Sequence, residues 1–140
     1  MTISLILSLI FLGTSTSTLS TDEQVETQDY ATAYKQSLDE QKPLMVIVGA
    51  PWCPACNVLK ETTLKEMKKN GDFKAVALTM VNRDEQPELA RQLTNGETVI
   101  PQIIVYTPEQ NGWKRRKLLG FQSSQPVRSL IRRALGKLGS

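Results

Sequence analysis

The hydrophobic pattern of this 140-residue chain predicts alternating helices and strands from residue 29 onwards. An unbroken apolar run at 44–48 is typical of a strand covered on both faces of a sheet. Further apolar stretches and segments with helical spacing complete the pattern. The predicted strands are 44–48, 73–81, 102–106 and 113–119, and the predicted helices are 29–41, 53–70, 84–93 and a last one to 138, which Ser123 or Ser124 caps.

The predicted order of elements is α-β-α-β-α-β-β-α, which places the chain in the α/β class. Strands joined through helices are expected to be parallel. The last two strands are joined by a turn at 107–112, so they are expected to form an antiparallel hairpin. The pattern therefore predicts a central mixed four-stranded sheet flanked by helices, with an extra N-terminal helix.

The segment before this domain has a different character. Residues 3–12 are a compact apolar run, too short to span a bilayer, which takes roughly 20 residues. Gly13 and a stretch rich in Ser and Thr follow, as in a secretory signal peptide. We interpret residues 1–20 as a signal peptide or a short uncleaved anchor, 21–42 as an acidic segment with a helix, and 43–138 as the main domain. Either reading of 1–20 predicts an exported, periplasmic or extracytoplasmic protein.

Charge is unevenly distributed around a net value of +3. Residues 21–42 contain six acids and two lysines, whereas eight basic residues and no acid follow residue 112. The run from Lys114 to Lys117 falls where charge would stop an edge strand from pairing with other chains. We interpret the basic region as solvated surface, and expect a monomer that binds no nucleic acid.

The clearest chemical signal is the pentapeptide Trp52-Cys53-Pro54-Ala55-Cys56, which contains both cysteines of the chain. Two thiols three residues apart at a helix start lie close enough to form a small disulfide. The helix N-terminus carries partial positive charge, which favours a thiolate at the first cysteine. Such a small ring restricts the unfolded chain little, so it is better placed to exchange than to stabilise. The motif therefore predicts redox chemistry.

Helical spacing predicts different environments for the two thiols. Cys56 shares a face with Leu59, Thr63 and Met67, which we expect to be the buried face. Cys53 is expected at the exposed tip, where it can attack or be attacked, with Cys56 behind it.

With these residues in view, the chain resembles the thioredoxin superfamily over residues 43–138. The resemblance rests on residues 50–56 at a strand-to-helix junction and on Val99-Ile100-Pro101 before the hairpin. In that family the proline is cis and lies against the CxxC, and the residue before it offers backbone groups to substrate. These roles would fall to Pro101 and Ile100, and Trp52, Pro54 and Ala55 would support the cysteine pair.

The resemblance implies the thioredoxin fold and exchange of disulfides with protein thiols or disulfides. Cys53 would be the nucleophile and Cys56 the resolving thiol, with no cofactor beyond their disulfide. The chain departs from the family where a buried Asp and a Lys are usual, since Ile47 and Met80 stand there. It contains no histidine, and we interpret Glu61 as a solvated helix residue. The run Val81-Asn82-Arg83-Asp84 resembles an Asn-x-Asp run at the same strand end in thioredoxins.

Several alternatives stay open at this point. The sequence does not separate reductant, oxidant and isomerase, and an exported reductant would need a membrane redox partner as its electron donor. A Cu(I) chaperone would use the two thiolates, although no His or third Cys completes the site. A redox-inert interaction domain with a structural disulfide is the third reading. Zinc normally needs four ligands, so we expect no metal site of that kind.

Overall fold

The computed structural model describes Val25 and residues 27–136. The predicted signal peptide or anchor, most of the acidic segment before residue 27, and Leu138 lie outside these residues. Within the described part of the chain, no helix has the length and apolar character needed to cross a membrane.

The described elements follow the predicted order. The strands are β1 (Leu44–Gly49), β2 (Ala77–Asn82), β3 (Gln102–Glu109) and β4 (Gly112–Leu119). The helices are α1 (Tyr30–Glu40), α2 (Pro54–Leu59), α3 (Lys65–Lys69), α4 (Pro87–Thr94) and α5 (Ser124–Leu135). A π-helical segment (Lys60–Leu64) joins α2 to α3, so the predicted helix over 53–70 is one continuous rod.

The four strands form one mixed sheet in the order β2-β1-β3-β4. β1 and β2 are parallel, and β3 and β4 form the predicted antiparallel hairpin. The expectation that β3 is also parallel, because a helix precedes it, is wrong: it runs antiparallel to β1, with Gln102 opposite Val48. The eight residues of α4 rise only about 12 Å. This rise is less than the roughly 20 Å that β2 spans, and residues 95–101 lead the chain to the end of β1, where β3 begins.

Three predicted boundaries were also wrong. Residues 73–76 do not belong to β2, because Gly71 adopts a left-handed backbone and leads directly into a 3₁₀ turn (Asp72–Ala75). α4 begins at Pro87 rather than at residue 84, and the side chain of Asp84 does not cap it. The hairpin strands extend to Glu109 and from Gly112, leaving a turn of two residues.

The sheet is covered on both faces, as the apolar run in β1 predicts. Met45 and Ile47 point into a core shared with α2, α3 and α5, and Val46 and Val48 point into a core under α1 and α4. The apolar stripe of α5 is buried through Val127, Leu130, Ile131 and Ala134. This packing fixes β1, and therefore the junction that follows it, between two rigid layers.

The extra N-terminal helix packs beside β2 and is held by specific contacts. Asp29 caps α1 by accepting the backbone N–H of Thr32 at 3.0 Å, and Ala33 is fully buried. The hydroxyl of Thr79 in β2 donates to the carbonyl of Gln28 at 2.8 Å. The opposite edge strand, β4, carries the predicted basic run, and Arg115 donates to the carbonyl of Leu93 at 2.8 Å.

Candidate active site

The two cysteines lie where β1 gives way to α2. The backbone N–H of Cys53 donates to the carbonyl of Ala50 at 3.2 Å, which closes the turn after the strand. Pro54 occupies the first helical turn, where a missing N–H costs nothing. Cys53 is the N-cap residue, and its sulfur accepts the backbone N–H of Cys56 at 3.1 Å. The pair forms a disulfide with Cα atoms 5.2 Å apart.

The predicted burial of the two cysteines is reversed in the structure. Cys53 is 4% exposed, whereas Cys56 is half-buried. The cause is a contact that helical spacing does not reveal: the sulfur of Cys53 lies 4.0 Å from the carbonyl oxygen of Ile100. Leu59 and Met67, the other members of the predicted buried face, are buried as expected.

The segment around Ile100 and Pro101 reaches the disulfide because β3 pairs with β1. The peptide bond between Ile100 and Pro101 is cis. Pro101 is buried, and its carbonyl accepts the N–H of Gly120 at 2.8 Å. Two segments separated by 47 residues therefore meet at the cysteine pair. The juxtaposition places a backbone carbonyl beside the sulfur of Cys53.

A groove of about 380 Å³ lies on the other side of Cys56. Ile47, Met80 and Pro101 contribute to its walls, and Lys60 is the charged residue among its lining. None of the described residues that line it is acidic. Glu61 faces solvent, as predicted. Among the described residues that line this groove, no carboxylate is available to accept a proton that leaves the Cys56 thiol.

Gly49 closes the site from below and was not identified from the sequence. A Cβ atom at this position would lie 3.2 Å from the sulfur of Cys56. The last residue of β1 thus sets how closely α2 approaches the sheet. The sequence shows a glycine at the end of the strand before the CxxC turn, but only the fold shows that this residue lies against Cys56.

Trp52 is the most exposed large apolar residue described, at 61%, and is held by two neighbours. Its indole N–H donates to a carboxylate oxygen of Asp84 at 2.7 Å. The guanidinium of Arg83 lies over the ring, 5.6 Å from its centroid, and donates to the carbonyl of Thr98 at 3.0 Å. The sequence predicts neither of these contacts with Trp52.

Exposed apolar side chains flank the segments that meet at the disulfide. Val99 is 50% exposed and directly precedes Ile100, and Phe121 is 47% exposed and follows Gly120. Pro54 is exposed at the helix start, and Ala55 is half-buried. Together with Trp52, these side chains are called the apolar rim, because they flank the segments that carry Cys53 and the Ile100 carbonyl.

This geometry can be compared with known proteins. Residues 25–108, more than half of the chain, match the protein family described as thioredoxin-like. The chain belongs to the thioredoxin-like family. Among curated proteins, a thioredoxin from Alicyclobacillus acidocaldarius subsp. acidocaldarius is 24% identical over 98 residues, covering 70% of this chain and 87% of that protein.

Solved structures show the same fold. A thioredoxin from Thermus thermophilus superposes with a TM-score of 0.70 at 20% identity, covering 83% of this chain and 91% of the other. The oxidised C-terminal domain of DsbD from Neisseria meningitidis gives a TM-score of 0.56 at 19% identity, covering 74% and 90%. The predicted thioredoxin fold is confirmed.

The chain carries a CxxC pair at disulfide distance, at the start of the helix that follows β1. It is a thiol–disulfide oxidoreductase, whose general kind of partner is a protein thiol or disulfide. Within residues 27–136 and Val25, no three side chains of His, Cys, Asp or Glu cluster as metal ligands.

Proposed function

We propose that this thioredoxin-like protein exchanges disulfides with protein substrates, with Cys53 as the nucleophile and Cys56 as the resolving thiol. The observation that carries the assignment is the backbone N–H of Cys56, which points at the sulfur of Cys53 from 3.1 Å. After reduction, this N–H donates to a thiolate at Cys53, and the N-cap position adds the field of the helix N-terminus.

The reductive half-reaction proceeds in two balanced steps. The Cys53 thiolate attacks one sulfur of a substrate disulfide, forms a mixed disulfide and releases the first substrate thiolate. Cys56 then loses its proton to water and attacks the sulfur of Cys53. The Cys53–Cys56 disulfide forms and the second substrate thiolate leaves, so two electrons pass from the protein to the substrate. The oxidised protein and a substrate dithiol run the same steps backwards.

The contact between Ile100 and Cys53 supports an approach of the substrate along the backbone at Ile100. Its carbonyl lies 4.0 Å from the sulfur of Cys53, at the inner edge of the apolar rim. An extended substrate strand that pairs with this backbone brings its own cysteine to Cys53. Because Cys53 is 4% exposed, attack proceeds along this edge rather than from open solvent.

The experiment is trapping of the mixed disulfide. Cys56→Ser removes the resolving thiol, so we expect a stable adduct between Cys53 and a disulfide-containing substrate protein, identified by peptide mass mapping. The matched variant Cys53→Ser should form no adduct. The reverse pattern, with an adduct on Cys56 only, would assign the roles the other way round.

We further propose that the protein works as a monomer outside the cytoplasm, uses no cofactor beyond its disulfide, and takes or gives electrons through a membrane partner. The apolar run at 3–12 supports export. Fractionation of cells that express the full chain tests this proposal. Recovery of the protein in the cytoplasmic fraction, at its full uncleaved mass, would contradict it.

A further inference from the structure

Arg83 stands beside the active site with most of its hydrogen-bonding capacity unused. One guanidinium nitrogen, Nη1, donates to the carbonyl of Thr98 at 3.0 Å, and the guanidinium lies over the ring of Trp52. Within the described residues, no carboxylate forms an ion pair with it. The side chain is half-buried, and its contacts with Thr98 and Trp52 fix the position of its charge. The remaining donors of its planar fork suit a carboxylate.

A groove of about 570 Å³ extends from Ile100 past Arg83 toward α4. The other charged residues that line it have partners of their own. Arg91 pairs with Glu88 at 2.6 Å, and this hydrogen bond lowers the pKa of Glu88. Glu97 pairs with Lys117, whose hydrogen bond lowers the pKa of Glu97.

Asp84 is the acidic neighbour that the guanidinium does not bind. Its carboxylate lies in the same groove and accepts the indole N–H of Trp52. The two side chains therefore contact different parts of the indole: Asp84 holds the ring edge, and Arg83 covers the ring face. Of the groove's charged side chains, Arg83 is the cation whose charge is not matched within the described structure.

We propose that Arg83 binds an acidic side chain of the substrate next to its reacting cysteine, and so determines which protein disulfides are exchanged. The inference rests on the proposed function. A substrate strand that meets the backbone at Ile100 continues toward Thr98, two residues away, or about 7 Å in an extended chain. The carboxylate that Arg83 recognises is therefore expected about two residues from the substrate cysteine.

The test uses three peptides that differ at one position, two residues from a cysteine linked by a disulfide to a chromophoric thiol. That position is Asp, Asn or Lys. Release of the chromophore gives the second-order rate constant of exchange with the reduced protein. We expect the Asp peptide to react about fivefold faster than the Lys peptide at low salt, since one partly exposed ion pair changes a rate constant by a factor of a few. The preference should shrink at about 1 M salt because of screening.

Variants separate recognition by Arg83 from other effects. Arg83→Gln should bring the three rate constants together, Arg83→Glu should reverse their order, and Arg83→Lys should keep the preference. Arg91→Gln is the matched control, because it removes the same charge from the same groove at a residue already paired with Glu88. It should leave the preference unchanged.

The inference would be overturned by equal rates for the three peptides with the wild-type protein, or by a preference that Arg91→Gln reduces as much as Arg83→Gln does. Neither affects the proposed function, because the peptides would still be exchanged. Absence of exchange with all three peptides would instead reject the proposed function itself. A uniform drop for all peptides in Arg83→Gln, with the preference intact, would mean that Arg83 only supports Trp52 and would also overturn the inference.

Discussion

Replacing Gly49 by alanine tests the packing beneath the disulfide. The new methyl group would lie 3.2 Å from the sulfur of Cys56 and 3.4 Å from its Cβ. Gly49 is not among the glycines with a left-handed backbone, so alanine fits the main chain. Among the described residues, the obstacle is the Cys56 side chain, which must move by a few tenths of an ångström.

The two redox forms differ in how they can relieve this contact. In the disulfide, the Cys56 sulfur is bonded to Cys53 and cannot turn away. In the dithiol, Cys56 can rotate about its Cα–Cβ bond. Overpacking typically costs about 1–3 kcal/mol, and a small overlap belongs at the lower end. About 1 kcal/mol against the disulfide corresponds to a reduction potential less negative by about 20 mV.

The assay is equilibration of Gly49→Ala with glutathione redox buffers, followed by gel-shift quantification of free thiols. Guanidinium unfolding of each form should show a greater loss of unfolding free energy in the oxidised protein than in the reduced one. Gly136→Ala, whose Cβ would meet a carbonyl at an ordinary 3.4 Å far from the disulfide, should leave the potential unchanged. An unchanged or more negative potential for Gly49→Ala would refute the reasoning.

Three further predictions concern stability and the rim of the site. Leu64→Ala empties a fully buried position, so urea unfolding should show a loss of about 2–5 kcal/mol with no change in potential; a loss below about 1 kcal/mol would contradict the packing. Trp52→Phe removes the donor to Asp84, so exchange rates with protein substrates should fall several-fold in stopped-flow kinetics while unfolding is little changed; equal rates would mean that the anchor is unimportant. Hydrogen bonds from Thr32 lower the pKa of Asp29, so its stabilising effect is present above the unfolded-state pKa of about 3.9 and is lost as pH falls through the folded value. Urea unfolding between pH 6 and 2.5 should therefore show a steeper acid loss than in Asp29→Asn, and parallel curves would contradict the assignment.

Local signals in the sequence predict the position of the cysteine pair and most of the fold. The apolar run at 44–48 predicts a strand covered on both faces, and the structure buries it between two helical layers. Cys53 and Cys56 are paired where the CxxC spacing places them, at a helix start. These features depend on neighbours within a few residues, so the sequence pattern predicts them directly.

The features that the sequence did not predict depend on pairing between distant segments. The direction of β3 follows from the short reach of α4 and from pairing with β1, neither of which leaves a periodic signal. The burial of Cys53 is caused by Ile100, and the role of Asp84 by Trp52, 32 residues away. Asp is a preferred N-cap residue, and only the fold shows that the carboxylate of Asp84 instead accepts the indole N–H of Trp52.

The central claim is that Cys53 and Cys56 form a reversible redox couple, and the reduction potential of the wild-type pair tests it most directly. Equilibration with glutathione buffers should give a single two-electron transition between about −270 and −120 mV, the range of exchanging CxxC proteins. A value near the lower limit would identify a reductant, and one near the upper limit a disulfide donor. A disulfide that stays closed below about −300 mV, as structural disulfides do, would contradict the account.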